Sequence, residues 1–395
     1  MDIHMHDRLA SKIFTSSGPD AVLICFSHLR WDFVFQRPQH LLTRASDTHN
    51  VLYFEEPIFD EVGLPAMYIS APTPRIRVVT PVLPNGTASA AAVSMQKSLV
   101  DELLAAFPSY KRLVAWYYTP IALPFSAHLQ ADIRVYDCMD ELSSFKDAPA
   151  ELARRETALF ATADLVFAGG QSLYAAKRGL HPRVYAFPSS IDASHFNKAR
   201  DSFDEPADQA GIGYPRIGFF GVIDERMDLD LVAATASQMP EYQFVMLGPV
   251  VKIDPASLPQ APNLHWLGSK SYDELPAYLA HWTAGWMPFA LNESTRYISP
   301  TKTPEFLAAG LPVVSTAIAD VVRPYGAMGL VQIAGLRDMA AKLAAATKSA
   351  GDHEWLKNVD AYIAGISWDR TWEAMAAHLD RIHSLNGAAL MRKGA

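Results

Sequence analysis

The stretch "YISPTKTPEFLAAGLPVVST" (297–316) sets a lysine and a glutamate three residues apart among prolines, then passes through small residues into an apolar run. Two frames suit a helix here. Thr303 can cap it with Pro304 at the first position, or Ser299 can cap it with Pro300 there. In either frame Gly310 falls at or beyond the helix end, where a left-handed backbone is common, and 311–316 reads as a buried strand. A short helix that turns through glycine into a buried strand is one unit of α/β architecture.

The same alternation recurs along the chain. Apolar runs at 21–27, 51–56, 76–82, 112–118, 133–140, 163–170 and 183–189 read as strands, and helical patterns lie between them. Continuous short apolar runs suit strands covered on both faces, and hence parallel sheets. The segment 189–215 is polar, acidic and rich in turn formers, and reads as a linker. Strands then resume at 216–223, 242–250, 263–268, 284–289, 311–316 and 329–334, and the chain closes on an amphipathic helix from about residue 371. The expected fold class is α/β, with two doubly wound domains in series and their carboxyl edges facing a cleft. The expected divisions are 1–200, 201–370 and a crossover helix at 371–395 returning to the first domain. A chain of 395 residues is long enough for two such cores.

Composition narrows the function. A net charge of −8 gives no basic face for nucleic acid. Two cysteines, Cys25 and Cys138, both in apolar runs, imply a reducing compartment and no disulfide framework. No run reaches the roughly 18–20 apolar residues of a membrane span. The expected location is cytoplasmic, with peripheral contact at the inner membrane face left open. The paired histidines His4 and His6 read as a frayed terminus rather than a metal site. No G-x-G-x-x-G follows the first strand of either half, which argues against a nicotinamide enzyme.

Lys302 beside free backbone N–H groups at a helix start makes an anion site that suits phosphate. Glu305 cannot bind phosphate, but its carboxylate can accept hydrogen bonds from a vicinal diol such as a ribose. Together they describe a nucleotide, with a surface ion pair as the plain alternative. In the first half, "VYDCMDELSSF" places Asp137 and Asp140 at the carboxyl end of a strand. Asp140 is the first choice for a general base, and capping of a following helix is its alternative. His28 ends the first strand and is a second candidate base or a structural histidine. Arg37 serves an anionic acceptor or a salt bridge. Trp116, Tyr117 and Tyr118 stack on a sugar or fill the core.

These segments resemble the GT-B glycosyltransferases, notably the bacterial family-4-like enzymes. "SPTKTPEFLAAGLPVVST" is similar to their donor-binding segment, and "PRIGFFGVIDERMDLDLV" to the opening of their C-terminal domain. "NLHWLGSKSYDELPAYLAHWTAGWMPF" is similar to their base-contacting region, and "VYAFPSSIDASHF" to the join between domains. "WDFVFQRPQHLL" and "VYDCMDELS" resemble a bacterial exopolysaccharide and teichuronic-acid branch, with the inverting xanthan glucuronosyltransferase more distant. The likeness spans about residues 20–380, stronger in the second half. It implies that Gly221, Arg226, Lys270, Ser299, Thr301, Lys302 and Glu305 bind a nucleotide-sugar donor, a UDP-sugar by preference. It also implies that Asp32 and Arg37 face a glycan or lipid-linked acceptor. Two positions depart from the family: Tyr297 stands where those enzymes carry a second glutamate, and Val222 where they carry arginine. The retaining mechanism therefore does not carry over. The one D-x-D, at 228–230, falls inside a helical pattern, so no metal or other cofactor is expected. A non-catalytic nucleotide-sugar-binding protein of a polysaccharide assembly and an epimerase are the alternatives to transfer.

Overall fold

The computed structural model describes residues 20–106, 110–146 and 148–393. His4 and His6, the start of the first division, the last residue of the helical pattern "SMQKSLVDELLAAF" and the final two residues of the chain lie outside the described residues.

Nine strands form the first sheet: β1 (Ala21–Phe26), β2 (Asn50–Phe54), β3 (Ile58–Asp60), β4 (Ala66–Thr73), β5 (Ile76–Pro84), β6 (Arg112–Tyr117), β7 (Ile133–Cys138), β8 (Leu165–Ala168) and β9 (Val184–Ala186). Their order is β3-β5-β2-β1-β6-β7-β8-β9, with β4 antiparallel on β5. β3 and β4 were not expected from the sequence. They sit at the sheet edge with half their side chains exposed, so no continuous apolar run marks them. The second sheet holds β10 (Arg216–Phe220), β11 (Gln243–Leu247), β12 (Leu264–Trp266), β13 (Ala284–Met287), β14 (Val313–Ser315) and β15 (Val331–Ile333). Its order is β12-β11-β10-β13-β14-β15 and every pairing is parallel. Counted from β10 this is 3-2-1-4-5-6, the doubly wound order, which reverses direction beside the first strand and opens a crevice at the carboxyl edge.

Segment 189–215 is not a free linker. Ile191, Phe196, Ala199 and Ile212 pack into the second core, and Gln209, fully buried, accepts a hydrogen bond from the Trp282 indole at 2.7 Å. Arg200, which donates to the Ala308 carbonyl at 2.7 Å, and Asp208, paired with Lys270 at 2.6 Å, add polar anchors that the turn-former pattern hid. The last helix, Trp368–Lys393, repeats Trp368, Trp372, Met375, Leu379 and Ile382 at four- and three-residue steps. That stripe lies in one core cluster with Leu23, Leu41 and Val51 of the first sheet layer. Arg44–Asp369 at 2.6 Å and Arg112–Asp380 at 3.2 Å flank it. The chain thus returns to its first sheet, and the carboxyl edges of the two sheets are held face to face. Among the described residues no helix is long and apolar enough to cross a membrane.

Candidate functional site

The helix of the opening stretch runs Lys302–Ala308, with Thr301 at its cap and no side-chain capping bond. Both expected frames are therefore off by two residues, one in each direction. Thr303 is not the cap but the second residue of the helix, wholly buried, with its hydroxyl 3.6 Å from Met287 Sδ. Gly310 does follow the helix at φ +79°, as its position suggested. Lys302 and Glu305 both turn into the interdomain cleft. The lysine side chain crosses over Gly221, where a Cβ would fall against Lys302 Cε, and its ammonium stands 5.8 Å from the Phe220 ring centre. Gly221 holds φ +140° and Gly248 φ +145°, and a Cβ on Gly248 would strike the Gly221 carbonyl. The two turns can nest under the lysine only as glycines.

Lys302 and Glu305 share a cavity of about 300 Å³, yet among the described residues they form no ion pair, and Glu305 Oε2 has no hydrogen-bond partner there. The surface-pair alternative is thereby set aside. Burial raises the Glu305 carboxyl to about 7 against the pull of Lys302. Burial also lowers the Lys302 ammonium, with Glu305 opposing and Arg226 adding to the shift. The loops after β11 and β12 complete the wall through Gly248, Ser269, Ser271 and Tyr272. Lys270 lines it too, but its ammonium is engaged with Asp208 at 2.6 Å and lies over Tyr278. Any donor contact there belongs to the rest of the loop.

Segment Trp31–Phe35 of the first domain covers the same cavity. Asp32, expected on the acceptor side, therefore lies on the Glu305 side, because the loop after β1 reaches across the cleft. Phe35 stacks on Tyr272 at 4.6 Å, and Tyr272 stacks on His195 at 4.1 Å. The Tyr272 hydroxyl is buried without a partner, and burial, then Glu305, raises its pKa. Tyr272 was missed in the sequence. Its signal was an aromatic residue directly after "GSKS" (268–271).

A second cavity adjoins the first, and Val34, Thr301 and Lys302 line both. Asp140, Arg226, Ser299 and Val222 complete it. Asp140 caps no helix: the turn Leu142–Ser144 that follows begins at Glu141 with no side-chain cap. Burial lifts its carboxyl to about 6, with Arg226 and Arg37 pulling the other way. The Arg226 guanidinium is gripped by Asp224, Nη2–Oδ2 2.7 Å, and lies 5.7 Å from the Phe145 ring centre. Val222 leaves this wall apolar. Tyr297 packs instead toward the first core.

Three expected residues are placed otherwise. Asp137 is fully buried in β7 and bound by Arg37, Nη2–Oδ1 2.8 Å, with Nε at 3.2 Å from both oxygens. Arg37 also donates to the Phe187 carbonyl at 2.8 Å, which commits its guanidinium to the scaffold even though the residue borders the second cavity. Asp137 is therefore corrected from candidate base, and Arg37 from acceptor ligand, to a structural ion pair. His28 lines neither cavity, and burial, then Lys252, lowers its pKa to about 4, so it is a weak base at neutral pH. Trp116, Tyr117 and Tyr118 are core, each at most 1% exposed.

No family model matches the chain. It is 26% identical over 249 residues, 58% of this chain and 62% of that protein, to TuaH of Bacillus subtilis (strain 168), whose name reads "Putative teichuronic acid biosynthesis glycosyltransferase". The match thus spans under two thirds of that relative's length. Among solved structures, sucrose-phosphate synthase from Thermosynechococcus elongatus superposes at TM-score 0.65 and 14% identity, covering 92% of this chain and all of that one. The E. coli trehalose-6-phosphate structure bound with UDP-2-fluoro glucose gives 0.64 and 12%, covering 90% and 98%. Anabaena HepE in complex with UDP and glucose gives 0.62 and 14%, covering 91% and 99%. The chain has the fold of these GT-B structures: two Rossmann-like domains with parallel sheets.

Proposed function

We propose that the protein is a glycosyltransferase that moves a sugar from a nucleoside diphosphate sugar, a UDP-sugar by preference, to a glycan or lipid-linked acceptor in bacterial cell-surface polysaccharide synthesis. The observation that carries this reading is one interdomain cavity lined by both the Lys302 ammonium and the Glu305 carboxylate, which form no ion pair with each other among the described residues, with Glu305 Oε2 buried and unpartnered. A ligand with phosphate at one end and a vicinal diol at the other satisfies both. The likeness to TuaH and the UDP and glucose held by the HepE fold support the same choice.

In this reading the nucleoside lies in the first cavity and the sugar carbon reaches the second. Asp140 takes the proton of the acceptor hydroxyl as its oxygen bonds to the anomeric carbon, and the bond from that carbon to the diphosphate oxygen breaks. Lys302 and Arg226 stabilise the charge on the departing nucleoside diphosphate, so the residues present need no divalent metal. Direct displacement inverts the anomeric centre. The reading carries a cytoplasmic location with peripheral contact at the inner membrane face, checked by whether the expressed protein pellets with membranes.

The test is a calorimetric titration with UDP and UDP-sugars followed by a turnover assay. UDP binding that Lys302→Ala weakens, with product whose configuration is inverted, is the expected result. No nucleotide binding at millimolar concentration would overturn it.

A further inference from the structure

Behind the cavity lined by Asp140 and Arg226 lies a third, larger one of about 530 Å³, within the range of small-molecule sites. Ser189 and Ser299 border both, and the hydrogen bond from Ser189 Oγ to the Ser299 carbonyl, 2.7 Å, forms the partition between them. Two arginines reach this hinge cavity. Among the described residues Arg323 makes no ion pair or hydrogen bond, and the Arg370 side chain donates only to the Gly365 carbonyl at 3.1 Å. Among the described residues Asp320 is the sole carboxylate in the lining, and its oxygens already accept from the backbone N–H groups of Gln171 and Ser172, at 2.8 and 2.9 Å. The uncommitted charge is therefore cationic. Tyr325 and Tyr362 supply an aromatic wall, with ring centres 5.2 Å apart.

We propose that this hinge cavity is an effector site for a small anionic saccharide, a sugar ring carrying a phosphate or a carboxylate. Guanidinium groups recognise either anion with paired hydrogen bonds, and tyrosine presents an apolar face with a polar edge to the ring. The lining comes from the first domain at Gln171 and Ser190, from the second at Asp320 and Arg323, and from the start of the last helix at Arg370. A ligand here touches all three bodies, so its affinity depends on how the domains are set against each other. By linkage it changes nucleotide affinity by the factor by which nucleotide changes its own.

The test is calorimetry on the full chain with glucose 6-phosphate, glucuronate and inorganic phosphate, each with and without saturating UDP. Wild type is expected to bind at least one of the two sugars more tightly than inorganic phosphate. Which sugar binds decides between a phosphate and a carboxylate ligand. The double variant Arg323→Ala/Arg370→Ala should lose about tenfold or more in that affinity while binding UDP alone as wild type does. Both arginines are exposed, so UDP binding doubles as the control for folding. The proposal is overturned if neither sugar binds better than phosphate, if the double variant binds them unchanged, or if UDP leaves their affinity unaltered. Should UDP itself fail to bind wild type, the donor reading falls, and sugar binding lost in the double variant still establishes an anion site in the hinge.

Discussion

Lys302 and Glu305 stand three residues apart in one short helix and line the same interdomain cavity, the lysine half-buried and the glutamate buried, and among the described residues they form no ion pair with each other. Two opposite charges one turn apart would ordinarily close on each other. Here the ammonium is drawn across Gly221, and the carboxylate faces the loops after β11 and β12. Leaving the buried Glu305 carboxylate unpartnered destabilises the protein, and a ligand that hydrogen-bonds it, as proposed, would recover that energy on binding.

The first consequence is a pH dependence of stability. The Glu305 carboxyl rises from an ordinary 4.5 to about 7. The folded protein therefore keeps a proton that the unfolded chain gives up, and the stability tied to this group is complete below 4.5 and lost as pH climbs through about 7. Glu305→Gln should melt higher than wild type at pH 8, by about 2–4 °C, and the gap should close toward pH 4.5. Thermal melts of both proteins across that range check it. Under the proposed reading UDP should narrow or reverse the gap at pH 8, because the neutral amide of the variant accepts from the ribose more weakly than the carboxylate would.

Asp140→Asn should lower turnover by about 10²–10⁴-fold while UDP affinity holds. In wild type kcat/KM should climb as pH rises through about 6, where this carboxyl ionises, and level off above. An asparagine variant with wild-type turnover would remove Asp140 from the chemistry.

Lys302→Ala should weaken UDP by about tenfold or more and leave uridine binding alone, since the proposed reading sets only the diphosphate against the ammonium. Gly221→Ala should act in the same direction. Its φ of +140° disfavours a side chain, and the added methyl meets the lysine stem. Comparing UDP with uridine by titration separates a phosphate effect from a general one.

Breaking the Arg37–Asp137 pair should cost about 3–5 kcal/mol of stability, the usual consequence of stranding a buried charge. Both partners are almost wholly inaccessible, with side chains 3% and 0% exposed. Denaturant unfolding of Arg37→Met and of Asp137→Asn measures it. A variant of unaltered stability but abolished turnover would return the pair to the catalytic machinery.

Chelation supplies the last check. Turnover should persist in excess EDTA, since Lys302 and Arg226 are assigned the leaving-group charge. Activity lost to EDTA and restored by magnesium or manganese would overturn that assignment.

Much of the fold was legible locally. Every apolar run read as a strand became one, and the stripe from Trp368 to Ile382 fixed a helix face. The spacing of Lys302, Glu305 and Gly310 marked a helix start and stop within two residues. Such signals depend on neighbours a few residues apart, where backbone geometry alone repeats. What the sequence left open was decided by partners far away in the chain. Asp137 and Asp140 look alike in "VYDCMDE" (135–141), yet Arg37, one hundred residues earlier, claims the first, and Arg226 beside the second leaves it free to titrate. Lys302 and Glu305 could equally have been a surface pair until the two sheets met over them. The edge strands β3 and β4, the anchoring of 189–215, the reach of Asp32 and Phe35 across the cleft and the pairing state of every buried charge follow from tertiary contact. Local pattern sets which residues form an element, and desolvation by a distant surface sets what each charge can do.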